Sequence, residues 1–284
     1  MTTAALTAEP RALTTEPRAR LADLVAAEWI KLWSLRSTTG TLLLTALAVL
    51  GLNVGTAWDQ VRYWGEHAPA DRADFVADGM ALLSAFTGNG ATVLMIALGA
   101  FGAVAVTGEY GTGLIRTTFV AVPARGSVMA AKALVLAAVT SVFGVLLAAV
   151  SFWLTQAQFA RYDAAVMLDH PGALRLLLAS ALLAPVSALA GMAVGALLRH
   201  GASAVTATTL LLLVAPVFLS TRRYWTALLG NATPYRAWTT LAERPDVLAH
   251  QPYPGTPGGA WLTLACWAAG SVVVTVLAVR RRDQ

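Results

Sequence analysis

Residues 133–157 read ALVLAAVTSVFGVLLAAVSFWLTQA, twenty-five positions without a charged side chain. At about 1.5 Å of rise per residue, a helix over this stretch covers the roughly 30 Å hydrocarbon core of a bilayer. Within hydrocarbon only a helix or a closed barrel satisfies every peptide group, and an unbroken apolar run of this length signals the helix. Five further windows read the same way: about 39–57, bounded by Arg36 and Asp59; 83–106, inside an apolar stretch that begins at Gly79; 173–198; 202–219; and 259–279. The second stretch is too long for one straight crossing, and Gly88-Asn89-Gly90 is expected to break it. Pro185 is expected to kink the fourth window, because a proline removes one helical hydrogen bond. Only Arg199-His200-Gly201 separates the fourth window from the fifth, which predicts a tight helical hairpin.

Composition agrees with an all-α, polytopic membrane fold. Of the 284 residues 57% are apolar or aromatic and 12% are charged, against about 25% charged in a soluble domain. The net charge is +5, but 18 of the 20 basic residues are arginines lying mostly between apolar runs. That distribution suits anchoring at a membrane face and not a nucleic-acid groove. The single Cys266 lies in an apolar run, so a disulfide framework and a cysteine-rich metal site are both excluded. Residues 1–20 lack the apolar core of a secretory signal, so the first span is expected to insert as an anchor. Six crossings place both termini on one side. With the N-terminus inside, twelve basic residues, both lysines among them, fall inside and eight outside, while nine of the 15 acids fall outside. The expectation is a multi-pass protein of the cell (inner or plasma) membrane with both termini cytoplasmic.

Along the chain, residues 1–20 carry a short duplication, TAEPRA at 7–12 and TTEPRA at 14–19, and read as a disordered tail. Residues 21–36 read as an amphipathic helix on the inner leaflet. Leu21, Leu24, Val25, Trp29, Leu32 and Leu35 fall near one face, Asp23, Lys31 and Ser34 lie opposite, and Trp29 and Trp33 suit the headgroup zone. Residues 37–282 form the six-span domain. Trp58–Asp78 reads as an ordinary outer loop, and Tyr224–Leu229 and Tyr235–Leu241 as short helices dipping into the outer leaflet.

Several chemistries are missing from the sequence. A phosphate-binding loop requires Gly-Lys-Ser/Thr, whereas Lys31 follows Ile30 and Lys132 follows Ala131. Gly111-Thr112-Gly113 begins like a dinucleotide fingerprint, but Arg116 stands where the third glycine belongs. His67, His170, His200 and His250 fall in four separate loops without metal-ligand spacing, so no metal site is expected. No nucleophile–base set is present, so no catalytic residue is assigned. The span interiors carry no acid of the kind that couples secondary carriers to ions.

The segment between the second and third windows carries the functional signal. It reads TGEYGTGLIRTTFVAVPARGS over 107–127, with Lys132 opening the third window. Its glycines break the helix leaving the membrane. Leu114, Ile115, Thr118 and Phe119 can form one face of a short helix that Pro123 stops, and Ser127 can cap the next. A rigid short helix flanked by Arg116 and Arg125 suits docking into a groove on a cytosolic partner.

The pattern Glu109-Tyr110-Gly111-Thr112, Arg116-Thr117-Thr118, Pro123, Arg125 and Lys132 resembles the first cytoplasmic loop of bacterial type-2 ATP-binding-cassette (ABC-2) permease subunits. The amphipathic 21–36 segment, with Glu28 and Lys31, resembles that family's N-terminal connecting helix, so the resemblance covers about residues 21–282. It implies a half-transporter that dimerises with an identical or different permease subunit and pairs with separate ATPase subunits. ATP and Mg would be bound on those partner chains and no cofactor on this one. On this view residues 112–122 are the coupling helix, with Glu109, Tyr110, Gly111, Thr112, Leu114, Arg116, Phe119, Pro123 and Arg125 as its contact set. Glu109 at the membrane edge would pair with Arg116 or Lys31. Export is the implied direction. A secondary carrier and a non-transporting membrane scaffold are the alternatives.

Gly51 with Gly55, and Gly191 with Gly195, have the spacing that lets helices approach closely. Asn53, Asn89 and Gln156 are polar groups in or near spans, and each must face protein or a cavity, either bonding a neighbouring helix or touching substrate.

Overall fold

The computed structural model describes residues 20–122, 124–219, 223–244, 247, 248 and 250–282; among the described residues there is no strand. The helices are α1 (Leu21–Ser34), α2 (Arg36–Arg62), α3 (Pro69–Ala77), α4 (Met80–Ala85), α5 (Gly88–Gly111), α6 (Leu114–Ala121), α7 (Arg125–Phe159), α8 (Ala173–Leu198), α9 (Gly201–Thr209), α10 (Ala215–Val217), α11 (Tyr224–Asn231), α12 (Pro234–Ala242) and α13 (Pro257–Arg282). Five stretches are long and apolar enough to cross a membrane: α2, α4 with α5, α7 with the turn after it, α8 and α13. The tail expected over residues 1–20 lies, up to residue 19, outside the described residues.

The 202–219 window differs from its expected form. Gly201–Val214 is an apolar helix of less than spanning length, its last five residues, Leu210–Val214, forming a π turn. Pro216 cannot donate to the Leu212 carbonyl, and the wider turn just before it absorbs that loss. Trp58–Asp78 is also not an ordinary loop: α2 runs on to Arg62, and α3 follows with Pro69 at its first turn. Trp64, Phe75, Phe159 and Tyr162 make tilted and edge-on ring contacts that hold α3 to the end of α7.

The long second stretch does break, but at Phe86-Thr87, two residues before the glycines. A break in a buried helix frees peptide groups that need partners. The Ala85 carbonyl accepts from Ser151 Oγ at 2.7 Å, the Ala81 carbonyl from Gln156 Nε2 at 2.9 Å, and the Thr87 N–H donates to Asn53 Oδ1 at 3.0 Å. Asn53 Nδ2 completes the network on Ser151 Oγ at 2.8 Å. The neighbouring glycine serves close approach, because a Cβ on Gly90 would stand 2.5 Å from Asn53 Oδ1.

The bundle is organised around α8, the most enclosed span, which packs on α5, α7, α9, α12 and α13. Its contact with α5 is backbone on backbone: a Cβ on Gly191 would lie 1.9 Å from the Gly99 carbonyl oxygen, and one on Gly102 would lie 1.8 Å from that of Ala188. The helix continues through Pro185, and the Ala181 carbonyl, which loses its helical donor there, faces Gly144 of α7. Gly99 also touches Thr208, so α9 folds back along α8 after the left-handed turn at Arg199.

Contacts place both ends of the described chain at one end of the bundle. There α1 meets the start of α7, and the Arg280 guanidinium of α13 covers Gly126, whose Cβ position lies 2.5 Å from its Nε. The other end holds α3, α11 and α12. Trp238 of α12 is buried and donates to Ser180 Oγ at 2.9 Å, so α12 is part of the bundle and not a leaflet helix. The exposed Tyr224, Trp225, Leu228 and Leu229 leave α11 as the one that suits a bilayer surface.

Candidate functional site

At the end shared by α1 and the tip of α13, four charged side chains converge from three helices. α1 contributes Glu28 and Lys31, the last turn of α5 contributes Glu109, and the second turn of α7 contributes Lys132. Local sequence explains the placement. In α1 the buried residues are Leu24, Glu28 and Leu32, one per turn on a single stripe, so packing the two leucines carries Glu28 inward. Leu35 is extended and ends α1, and Thr38 Oγ1 of α2 bonds back to the Leu32 carbonyl at 2.7 Å, fixing the elbow.

Lys132 Nζ donates to Glu28 Oε2 and, at 2.9 Å, to Glu109 Oε1. Lys31 Nζ donates to Glu28 Oε1 at 2.7 Å and lies 3.6 Å from Glu109 Oε1. Relative exposures of 4% for Glu28, 8% for Glu109 and 7% for Lys132 put three of the four charges out of water. Two carboxylates and two ammoniums make the set neutral, which is the condition for burying charge. Burial alone would lower the Lys31 ammonium's pKa, but the Glu28 hydrogen bond and the Glu109 charge reverse this and hold it above the ordinary lysine value of 10.5.

The expected pairing of Glu109 with Lys31 is present at the longer distance, while its closer partner is Lys132, which the sequence marks as part of the loop pattern and the opening of a span but not as a partner of Glu109. Glu28 was likewise not expected to be buried. A signal was available. The chain has only two lysines, and both stand here. A compact ammonium with three rotatable donors can bridge carboxylates from different directions, whereas the arginine fork is planar.

Beside the cluster, α5 ends at Thr112, whose Oγ1 donates to the Gly108 carbonyl at 2.9 Å, and Gly113 turns the chain at φ +74° into α6. Glu109 and Tyr110 thus belong to a helix and not to a loop. On α6 the expected single apolar face is divided. Ile115 is buried and Phe119 packs by Leu24, Val128 and Ala131, with the Arg125 guanidinium 5.2 Å above its ring. Leu114, 44% exposed, and Val120, 84% exposed, face outward with Thr117. Pro123, the expected helix stop, lies outside the described residues, as does the side chain of Arg116. Tyr110 lies under the Arg199 guanidinium at 5.0 Å, which joins the α5 end to the α8–α9 turn. Gly111 is exposed with open space around it.

The remaining candidates divide cleanly. Asn53 and Gln156 are consumed by the α4–α5 break, Gly191 and Gly195 by the α5–α8 crossing. Asn89 is exposed in the first turn of α5, and Gly51 and Gly55 have nothing within 4 Å. Trp29 and Trp33 meet at a tilt, ring centroids 5.8 Å apart, on the exposed side of α1 with Ile30, as suits a headgroup-facing surface.

Neither a scan against protein-family models nor a search of curated proteins returns a match for this chain.

Proposed function

We propose that the chain is the membrane-spanning permease subunit of an ATP-driven exporter of the ABC-2 type. It moves a hydrophobic or amphipathic substrate by alternating access while a separate ATPase chain binds ATP and Mg. The observation that carries this reading is the ion cluster. It clamps α1, α5 and α7 immediately beside α6, whose outer residues Leu114, Thr117 and Val120 are uncovered. A displacement of α6 passes through Thr112-Gly113 to α5, and through the cluster to α1 and α7, as a lever passes load through a rigid joint. α6 is then the coupling helix.

In this reading the membrane is crossed six times. α8 and α13 both finish at the cluster end, so 201–217 returns the chain to the far end, and its 17 helical residues span about 25 Å. The cluster end is cytoplasmic, in the cell membrane, with both termini there. A second permease subunit, identical or different, covers part of α2, where Leu44, Leu47, Gly51 and Gly55 lie open.

Gentle extraction from native membranes followed by mass spectrometry tests the reading. A stoichiometric ATPase subunit is expected, and it should be lost from Val120→Glu, which alters a fully outward side chain. A well-folded protein that brings no ATPase, under conditions that keep known complexes intact, overturns it.

A further inference from the structure

A cavity of about 860 Å³ adjoins the ion cluster, within the range of small-molecule sites. Ala97, Ala100, Phe101, Val104, Ala105 and Gly108 line it, and their spacing puts them on one face of α5. From Ala97 to Gly108 that face runs about 17 Å along the helix, and Glu109 of the cluster follows directly. The cavity is thus a slot, apolar along α5 and polar where α5 reaches the cluster. Val104 and Gly108 are exposed, so the slot is open along its side.

The polar end offers donors. Glu28 has Lys31 on one oxygen and Lys132 on the other, Glu109 Oε1 has Lys132, and Glu109 Oε2 is closed off by protein. Lys31 is the most accessible member of the cluster, with 30% of its side chain exposed. Its ammonium carries three N–H groups against one hydrogen bond to Glu28 and a 3.6 Å approach to Glu109, so at least one N–H is left over. Ser37 and Thr41 share a face of α2 and also line the slot; their hydroxyls have no hydrogen bond among the described residues. The cluster is neutral as a set, so a ligand is selected by where donors stand and not by net charge. Trp29 and Trp33, on the exposed side of α1, put Lys31 at headgroup level.

We infer that the slot seats a phospholipid of the adjoining leaflet, one acyl chain lying along Phe101 and Val104 and the phosphate and ester oxygens accepting from Lys31, Ser37 and Thr41. The head of such a lipid is rich in acceptors, and a lysine ammonium binds phosphate as a point charge. The surrounding bilayer presents both chain and phosphate at the level where the slot opens, which favours a membrane lipid over a soluble anion. Thr112, Gly113 and Leu114 also line the slot, so the lipid lies against the start of α6. The binding itself does not depend on the permease reading.

The test uses the full chain in maltoside micelles without any ATPase. Phosphatidylcholine carrying a diazirine in mid-chain is titrated beside diacylglycerol with the same chains and label, and after illumination the labelled peptides are mapped by mass spectrometry. Labelling of residues 97–105 should saturate, and the phospholipid should reach half-saturation at about tenfold lower concentration than diacylglycerol, as expected for a charge-assisted bond. Lys31→Gln and Ser37→Ala should each narrow that preference. Ala100→Phe, which fills the slot away from the charges, should abolish labelling of 97–105, whereas Val142→Phe, on the exposed face of α7, should leave it intact. If Lys31→Gln fails to fold, the lipid comparison, Ser37→Ala and Ala100→Phe decide. Equal half-saturation for the two lipids overturns the proposal, as does labelling that rises without saturating. So does the absence of label over 97–105, the result expected if a second copy of the chain covers the slot.

Discussion

Replacing Lys132 by Met removes the ammonium that is hydrogen-bonded to both buried carboxylates. Glu28 keeps Lys31 on one oxygen at 2.7 Å, while Glu109 is left with Lys31 at 3.6 Å and no hydrogen bond. The cluster changes from neutral to a net charge of −1 with Glu28 and Glu109 at 4% and 8% exposure. Breaking a buried pair on one side costs about 3–5 kcal/mol. Part of that returns if Lys31, the most exposed member, swings toward Glu109, so a loss of about 3 kcal/mol is the expectation. Removing Glu28 as well restores neutrality. Glu28→Gln/Lys132→Met should therefore be more stable than the sum of the single changes by about 1–3 kcal/mol, the coupling expected of groups in one network. Unfolding by denaturant in nanodiscs, followed by tryptophan fluorescence, measures all four corners of the cycle. A Lys132→Met variant within about 0.5 kcal/mol of the parent, or a cycle that adds without coupling, would refute the claim that these charges hold three helices together.

Three further outcomes follow from the geometry. Because the Lys31 pKa lies above 10.5 in the folded protein, its contribution is fully present below that pH and is lost as pH rises through the folded value. The Tm gap between the parent and Lys31→Met should stay flat from neutral pH to about 10 and narrow above 10.5; a gap that already closes between neutral pH and about 9 contradicts the pairing. Gly191→Ala, with a Cβ position 1.9 Å from the Gly99 carbonyl oxygen, should cost at least about 1–3 kcal/mol. Gly51→Ala, with open space around it, should leave the protomer's unfolding unchanged or slightly improved; equal losses at both sites would show that the α5–α8 contact is not backbone-tight. Asn53→Ala strands the Thr87 N–H and the Ser151 hydroxyl, and should lower stability by about 1–3 kcal/mol while raising amide exchange at residues 84–88.

Apolar run length carried most of the fold, because a span of hydrocarbon demands a fixed number of residues whatever their neighbours. It located α8 to the residue and the cores of α2, α7 and α13, whose ends simply extend into the polar zones. It did not locate the break before α5, because that break depends on Asn53, Ser151 and Gln156 arriving from other helices to satisfy freed peptide groups. Nor did it foresee α3, a short polar helix held by ring contacts to the end of α7. At the candidate site, helical periodicity put Leu24, Trp29 and Leu32 on one lipid-facing stripe and Lys31 on the polar face, whereas the fold buries the two leucines with Glu28 and leaves Trp29 exposed. Pairing between residues 104 apart in sequence, Glu28 and Lys132, leaves no local trace. Tyr110 under Arg199 is equally non-local. The division of α6 into an inner side, Ile115 and Phe119, and an outer side, Leu114 and Val120, follows from where α7 begins, which periodicity alone does not state.

The proposed function seats the outer side of α6 on a separate ATPase. A photo-crosslinking amino acid at Val120, with the same label at Val104 as a membrane-level control, tests it most directly in intact membranes. The account predicts that Val120 yields an adduct with a nucleotide-binding ATPase chain and that Val104 does not. A Val120 label that captures only lipid or solvent, in membranes where ATP-driven transport complexes are otherwise intact, would contradict it.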